Sequence, residues 1–198
     1  MLKHSKFWKM IRIGILGDIG SGKSFVANNF GYPVFNADYE VSKLYKKDKK
    51  IFKKLKKKLP EFISSFPINK NEITKAILNN NVNLKKITTI IHLEIRKKLK
   101  LFLKKNKNKE LVILDIPLLL ENKINNKKDV LVFVESKNRD IAKRLEKRQN
   151  FNRNLFNKFR KIQINLDYKK KKSHYIIKNN FTKKPVNESI KKILNEIL

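Results

Sequence analysis

The sequence predicts an α/β fold built on a five-stranded parallel sheet. Three observations carry this reading. Five short segments are apolar and rich in β-branched residues, the composition of strands covered on both faces. Segments with helical spacing lie between them, an alternation that favours parallel strands joined by helices. The first strand also runs straight into a glycine-rich turn followed by a helix-compatible stretch.

The strands are read at Ile11–Leu16, Pro33–Phe35, Leu111–Leu114, Val130–Val134 and Tyr175–Ile177. A helix over Ser24–Phe30 follows the first. A helix over Arg139–Arg148 follows the fourth, with Ser136 as its N-cap. Glu188–Ile197 closes the chain, with Ile190, Ile193, Leu194 and Ile197 at helical spacing. Residues from about 46 to 104 carry no strand signal, and Ile73, Ile77, Leu84, Ile87, Ile91 and Ile95 recur at helical spacing. A strand–helix unit needs no crossover of that length, so this stretch reads as a helical, substrate-binding insertion. Residues of about 149–167 are polar and basic and read as a small lid. The chain is thus one domain over 1–198, with its core at about 11–45, 105–148 and 168–198.

The formal net charge is +32, which taken alone points to a polyanionic partner. The charge is not gathered into one block. Lysine runs occur at Lys46–Lys50, Lys53–Lys58, Lys97–Lys100, Lys104–Lys109 and Lys169–Lys172. The chain also favours Lys, Asn, Ile and Phe, residues with A- and T-rich codons, so compositional bias explains the profile. We therefore read the runs, Lys169–Lys172 included, as solvated surface and expect no specific nucleic-acid partner. There is no cysteine, which fits a reducing cytoplasm. The basic start, MLKHSKFWKM, is followed only by a short interrupted apolar run and reads as no signal peptide. No stretch has the apolar length of a membrane span, so no membrane partner is expected. A monomer in the cytoplasm is the expectation.

The strongest chemical signal is G-x-x-x-x-G-K-S over Gly17, Asp18, Ile19, Gly20, Ser21, Gly22, Lys23 and Ser24. Glycines let a backbone wrap a phosphate, and successive N–H groups at a helix N-terminus make an anion nest. Lys23 is placed to reach the β- and γ-phosphates, and the Ser24 hydroxyl to ligate Mg²⁺. Phe25 ends this nucleotide-binding stretch. The fold prediction sharpens to a P-loop NTPase three-layer fold using ATP or GTP with Mg²⁺. GTPases, ATPases and kinases all share this loop.

Two carboxylates and a proline stand beyond strand ends. Asp38 follows the second strand and is read either as a base accepting a hydroxyl proton or as the cap of a helix beginning near Tyr39. Asp115 ends the third strand and is a candidate for Mg²⁺, directly or through water, or for a lysine partner. Pro117 fixes the turn after it. His92 lies on an apolar helical stretch with Arg96 one turn on, and Arg144 and Arg148 are likewise one turn apart.

Six stretches, in order, resemble the dephospho-CoA kinase family. They are Ile13–Ser24, Pro33–Asp38, Ile91–Arg96, Leu114–Glu121, Arg144–Arg148, and Gln163 with Tyr175–Asn179. The pattern departs at Phe25, Asn36, Leu93, Ser173-His174 and Phe181. The resemblance implies transfer of the ATP γ-phosphate to the ribose 3′-hydroxyl of dephospho-CoA. It implies Asp38, Lys23 and Arg144 as catalytic residues, with Arg148 added to the loop residues that hold the nucleotide. It places His92, Arg96, Asp115 and Pro117 on the acceptor side. Another P-loop small-molecule kinase, or a basic nucleic-acid-binding NTPase with salt-steep affinity, are the competing readings.

Overall fold

The five apolar segments pair side by side because each, covered on both faces, must satisfy its backbone in a ladder. They are β1 (Ile11–Gly17), β2 (Val34–Asn36), β3 (Leu111–Asp115), β4 (Val130–Glu135) and β5 (Tyr175–Lys178). The order across the sheet is β2-β3-β1-β4-β5, and all pairs are parallel. The computed structural model describes residues 10–149 and 151–198. The basic start read above lies almost wholly outside them, as does Asn150 in the lid region.

Period-two alternation along the strands divides the core into two layers. Ile13, Ile15, Ile113, Val132, Val134 and Ile177 pack with Val26 and Ala27 of α1 (Lys23–Asn29) and Val186, Ile190 and Ile193 of α9 (Lys183–Ile197). Leu16, Phe35, Leu114, Leu131 and Phe133 face the other way. They meet α2 (Ala37–Lys47), α3 (Lys49–Lys58), α4 (Lys70–Asn79) and the 25-residue α5 (Asn81–Lys105). On α5 it is Leu84, Ile87, Ile91, Ile95 and Leu99 that are buried, the stripe that the spacing marks. The chain continues through α6 (Asn138–Glu146), α7 (Arg153–Ile162) and α8 (Leu166–Lys172).

The asparagine-rich composition has a local use. Side chains of Asn36, Asn69, Asn80, Asn152 and Asn165, and of Asp48, accept backbone N–H groups at the starts of α2, α4, α5, α7, α8 and α3. Each such cap satisfies donors that the helix cannot, at about 1 kcal/mol apiece.

Several boundaries differ from the sequence reading. The second strand begins at Val34, although the Pro33 carbonyl still accepts from Ile113 N at 2.9 Å. The first helix begins at Lys23 rather than Ser24, because Gly22 is its N-cap. Ser136 does not cap α6. Lys137 holds that position without a side-chain bond, while Ser136 Oγ is turned toward Ser21 O and Asn179 O. The same helix stops at Glu146, so Arg148 sits in the turn beyond it, its N–H on Leu145 O. The closing helix starts five residues early, at Lys183, with Pro185 in its first turn where a missing N–H costs nothing. Lys169 is not solvated surface: it is 3% exposed and paired with Glu121.

Candidate active site

Parallel strands bring their C-terminal ends to one edge, and the chemistry-bearing residues collect there. The loop Gly17–Gly22 leaves β1 and enters α1. Gly22 has φ 86°, and a Cβ there would run into Asn179 Nδ2 and lie 2.7 Å from the Phe181 ring. A Cβ at Gly20, φ 89°, would meet Ile141 at 2.9 Å. Both positions therefore require glycine for conformation and for space.

The loop is braced from outside. Asn179 Nδ2 donates to Ser21 O at 2.8 Å and Ser136 Oγ donates to the same carbonyl at 2.9 Å. Asp18 accepts from Ile19 N at 2.7 Å. Ser21 is fully buried. Lys23 Nζ donates to Asp18 O at 2.7 Å and Gly17 O at 3.3 Å, folding its ammonium back over the loop's own carbonyls. Burial lowers its proton affinity, and the Asp115 carboxylate opposes that shift.

Asn36 decides where the two carboxylates stand. It ends β2 directly beside Asp115 at the end of β3. Its Nδ2 donates to Asp115 Oδ2 at 2.6 Å, and its Oδ1 accepts from Tyr39 N at 2.7 Å. The cap of α2 is thus Asn36, and the alternative reading of Asp38 as a cap is overturned. Asp38 occupies the first turn with its carboxylate left for the cavity. Although it keeps solvent access there, the cavity walls desolvate its carboxyl and push its pKa up. The neighbouring Asp115 charge pushes it further, and Lys23, Arg148 and Lys70 pull it back. Burial likewise pushes Asp115 up, against hydrogen bonds from Ser24 and Asn36 and the Lys23 charge.

A cavity of about 840 Å³ joins these groups, at the large end of the ~300–1,000 Å³ common for ligand sites. Gly17, Ile19, Gly20, Gly22, Lys23, Ser24, Phe25, Asp38, Asp115, Pro117, Arg144 and Arg148 all line it. Asp18 and Ser21 belong to the loop's back instead, Asp18 facing a second cavity of about 420 Å³. From α5 come Leu84, Ile87, Ile91, His92 and Ile95; from α7, Leu155 and Phe159. His92 is half-buried, and that burial, with the Arg96 charge, lowers its pKa. Arg96 is exposed and does not itself line the cavity, but it donates at 2.8 Å to the backbone carbonyl of Asn122, which does. Arg144 stacks on the Phe181 ring, 4.1 Å from its centroid.

The sequence reading gave no place in the site to Asn179, Glu121, Gln163 or Lys169, and read Ser136 only as a helix cap. Gln163 Nε2 reaches Gly17 O at 3.3 Å, and Glu121 Oε1 accepts from Ile164 N at 3.0 Å. For Asn179, Glu121 and Gln163 the only sequence signal was position within the family-like stretches; Ser136 lies outside them, and Lys169 was hidden in a lysine run.

The donor set fits Mg²⁺. That ion takes one or two protein oxygens and completes its shell with phosphate and water. The Ser24 hydroxyl and Asp115 carboxylate, which line the cavity together with Lys23, are such oxygens. Among the described residues there is no cluster of three or more His, Cys, Asp or Glu that would hold a metal alone. Nor is any described helix long and apolar enough to cross a membrane.

Comparison with known proteins agrees with this geometry. The sequence model of dephospho-CoA kinase matches residues 11–184. A dephospho-CoA kinase of Wolbachia pipientis wMel is 34% identical over 93% of this chain and 97% of its own length. That of Rickettsia typhi is 32% identical over 95% and 98%. Among solved structures, TT1252 from Thermus thermophilus superposes with a TM-score of 0.79 at 25% identity, covering 96% of this chain and 99% of its own. The dephospho-CoA kinase from Campylobacter jejuni, at 22% identity, shares the fold with a TM-score of 0.59 over 94% and 96%. The chain belongs to the dephospho-CoA kinase family, P-loop kinases that move a phosphoryl group from ATP to a hydroxyl acceptor.

Proposed function

We propose that this chain phosphorylates the ribose 3′-hydroxyl of dephospho-CoA, with Asp38 as the proton acceptor. One observation carries this: Asp38, uncapped and facing Lys23 and Asp115, shares a cavity with a largely apolar wall from α5 and α7. The loop amides and Lys23 hold the nucleotide phosphates. To do so, Lys23 Nζ exchanges the Gly17 and Asp18 carbonyls for phosphate oxygens. Ser24 and Asp115 hold Mg²⁺, which when bound neutralises phosphate charge. Asp38 takes the hydroxyl proton as the oxygen attacks, and its raised pKa brings it closer to the neutral range where a general base works best. Arg144 and Arg148, exposed at the cavity mouth, close over the transferring group as part of a lid that includes α7. The walls from residues 46–104 receive the acceptor, His92 and Pro117 lining it and Arg96 acting from its rim. A cytoplasmic monomer fits a cysteine-free chain of this size.

A coupled assay with ATP, Mg²⁺ and a panel of acceptors tests this. Dephospho-CoA should be turned over, and Asp38→Asn should lower kcat by about 10²–10⁴-fold with ATP binding retained. Turnover of other small acceptors with none of dephospho-CoA removes the substrate assignment. A fall in kcat of under about tenfold for Asp38→Asn removes the base.

A further inference from the structure

Glu121 and Lys169 form an ion pair at 2.6 Å, with side chains 9% and 3% exposed. They come from distant segments, Glu121 from the turns after β3 and Lys169 from the middle of α8. Lysine is seldom buried unless paired. Yet a buried pair is often no better for stability than well-packed apolar side chains. Stability alone therefore gives little reason for a lysine here. Its surroundings give a better one. Lys169 lines the same cavity as Gly17, Lys23 and Ser24. Its positive charge acts on Lys23, lowering that residue's proton affinity. Two cations lining one cavity repel each other, and a phosphate held between them relieves that repulsion.

Glu121 fixes the geometry. The same oxygen that pairs with Lys169 accepts the Ile164 N–H at 3.0 Å. The adjacent Gln163 donates to Gly17 O at 3.3 Å, at the entry to the loop. Asn165 caps α8 through the Asp167 and Tyr168 N–H groups, which seats Lys169 on the cavity side of that helix. The remaining Glu121 oxygen, Oε2, is buried without a hydrogen-bond partner. A carboxylate held on one oxygen alone is better explained by setting the direction of its partner than by its own satisfaction.

We propose that Lys169 is a second phosphate-binding cation of the nucleotide site, positioned by Glu121. This rests on the cavity being a nucleotide site but not on the identity of the acceptor. The test uses the full chain without acceptor, titrated calorimetrically with ATP, with tripolyphosphate and with adenosine. The double variant Lys169→Met, Glu121→Gln removes both charges while keeping both shapes, so it avoids leaving a buried charge unpaired. It should keep the melting temperature. It should bind ATP and tripolyphosphate at least about tenfold more weakly, the scale of one charged hydrogen bond. Adenosine binding should stay within about twofold, since adenosine offers no phosphate for the lost cation. Lys169→Arg should restore most of the ATP affinity. Equal weakening of all three ligands, or a loss for ATP of less than about tenfold, overturns the proposal. If the wild type fails to phosphorylate dephospho-CoA while the phosphate-dependent loss persists, the acceptor assignment falls and Lys169 stands.

Discussion

Asn36 donates to Asp115 across two adjacent strand ends, Nδ2 to Oδ2 at 2.6 Å, while its other amide atom caps the helix that carries Asp38. One side chain thus sets the position of both acids. Asn36→Ala removes the cap, at about 1 kcal/mol, and takes from Asp115 its amide donor. Melting should fall by several degrees and turnover should fall with it. Asn36→Asp keeps the cap but adds a negative charge beside Asp115, so without Mg²⁺ it should melt lower than wild type. A melting curve in chelator checks both; an unchanged Asn36→Ala curve would show that the bridge holds nothing.

The raised pKa of Asp38 has a stability consequence. Folding disfavours its ionised form, because its largest cause is burial followed by the Asp115 charge. The native state therefore holds this proton more tightly than the unfolded chain. The resulting penalty is absent below the ordinary carboxylate pKa, grows as pH rises toward the folded value, and is complete above it. Asp38→Asn should accordingly raise melting temperature at neutral pH in metal-free buffer, and the gain should vanish in acid. A gain that is constant across pH would mean that ionisation is not its source.

Phe181 adopts φ 65° beneath the Arg144 guanidinium. A left-handed backbone costs a non-glycine residue about 1–2 kcal/mol, and the stack returns about 0.5–1 kcal/mol. Phe181→Gly loses both and should leave stability within about 1 kcal/mol of wild type. Phe181→Ala keeps the strain and loses the stack, so it should melt lowest of the three. Denaturant midpoints order the series, and an Ala variant as stable as the Gly variant would deny the strain.

Far from the cavity, Arg12 Nη2 donates to Asp129 Oδ2 at 3.0 Å while Nε lies 2.9 Å from Oδ1. The Asp129 side chain is 1% exposed and that of Arg12 is 20% exposed. Arg12→Ala strands a buried carboxylate, at about 3 kcal/mol, the low end for such pairs because Arg12 keeps some water. Stability should drop by that amount with KM for ATP unchanged. A variant that loses ATP affinity instead would place this pair in the site's support.

Lys23 Nζ spans the loop's own carbonyls, Gly17 O and Asp18 O. In Lys23→Met, ATP should no longer raise the melting temperature as it does for any ligand that binds only the folded state. An undiminished ATP-dependent rise would remove Lys23 from the nucleotide site.

The sequence by itself determined what local chemistry can fix. Runs such as Ile11–Leu16 and Leu111–Leu114 are strands because their composition suits two covered faces, and the Gly17–Ser24 loop is legible because its glycines and its lysine are adjacent in the chain. Family membership was legible for the same reason, through short ordered motifs. Tertiary structure decided the rest. Whether Asp38 or Asn36 caps α2 depends on the neighbouring strand end, 79 residues from Asn36. Ser136 reads as a cap until the loop carbonyl of Ser21, 115 residues away, offers it a better partner. Lys169 is indistinguishable from Lys170 to Lys172 in sequence, yet it alone is buried, because only one face of α8 meets Glu121 and the cavity. Those outcomes belong to packing between distant segments, where a side chain's partner is set by the fold around it and not by its neighbours in the chain.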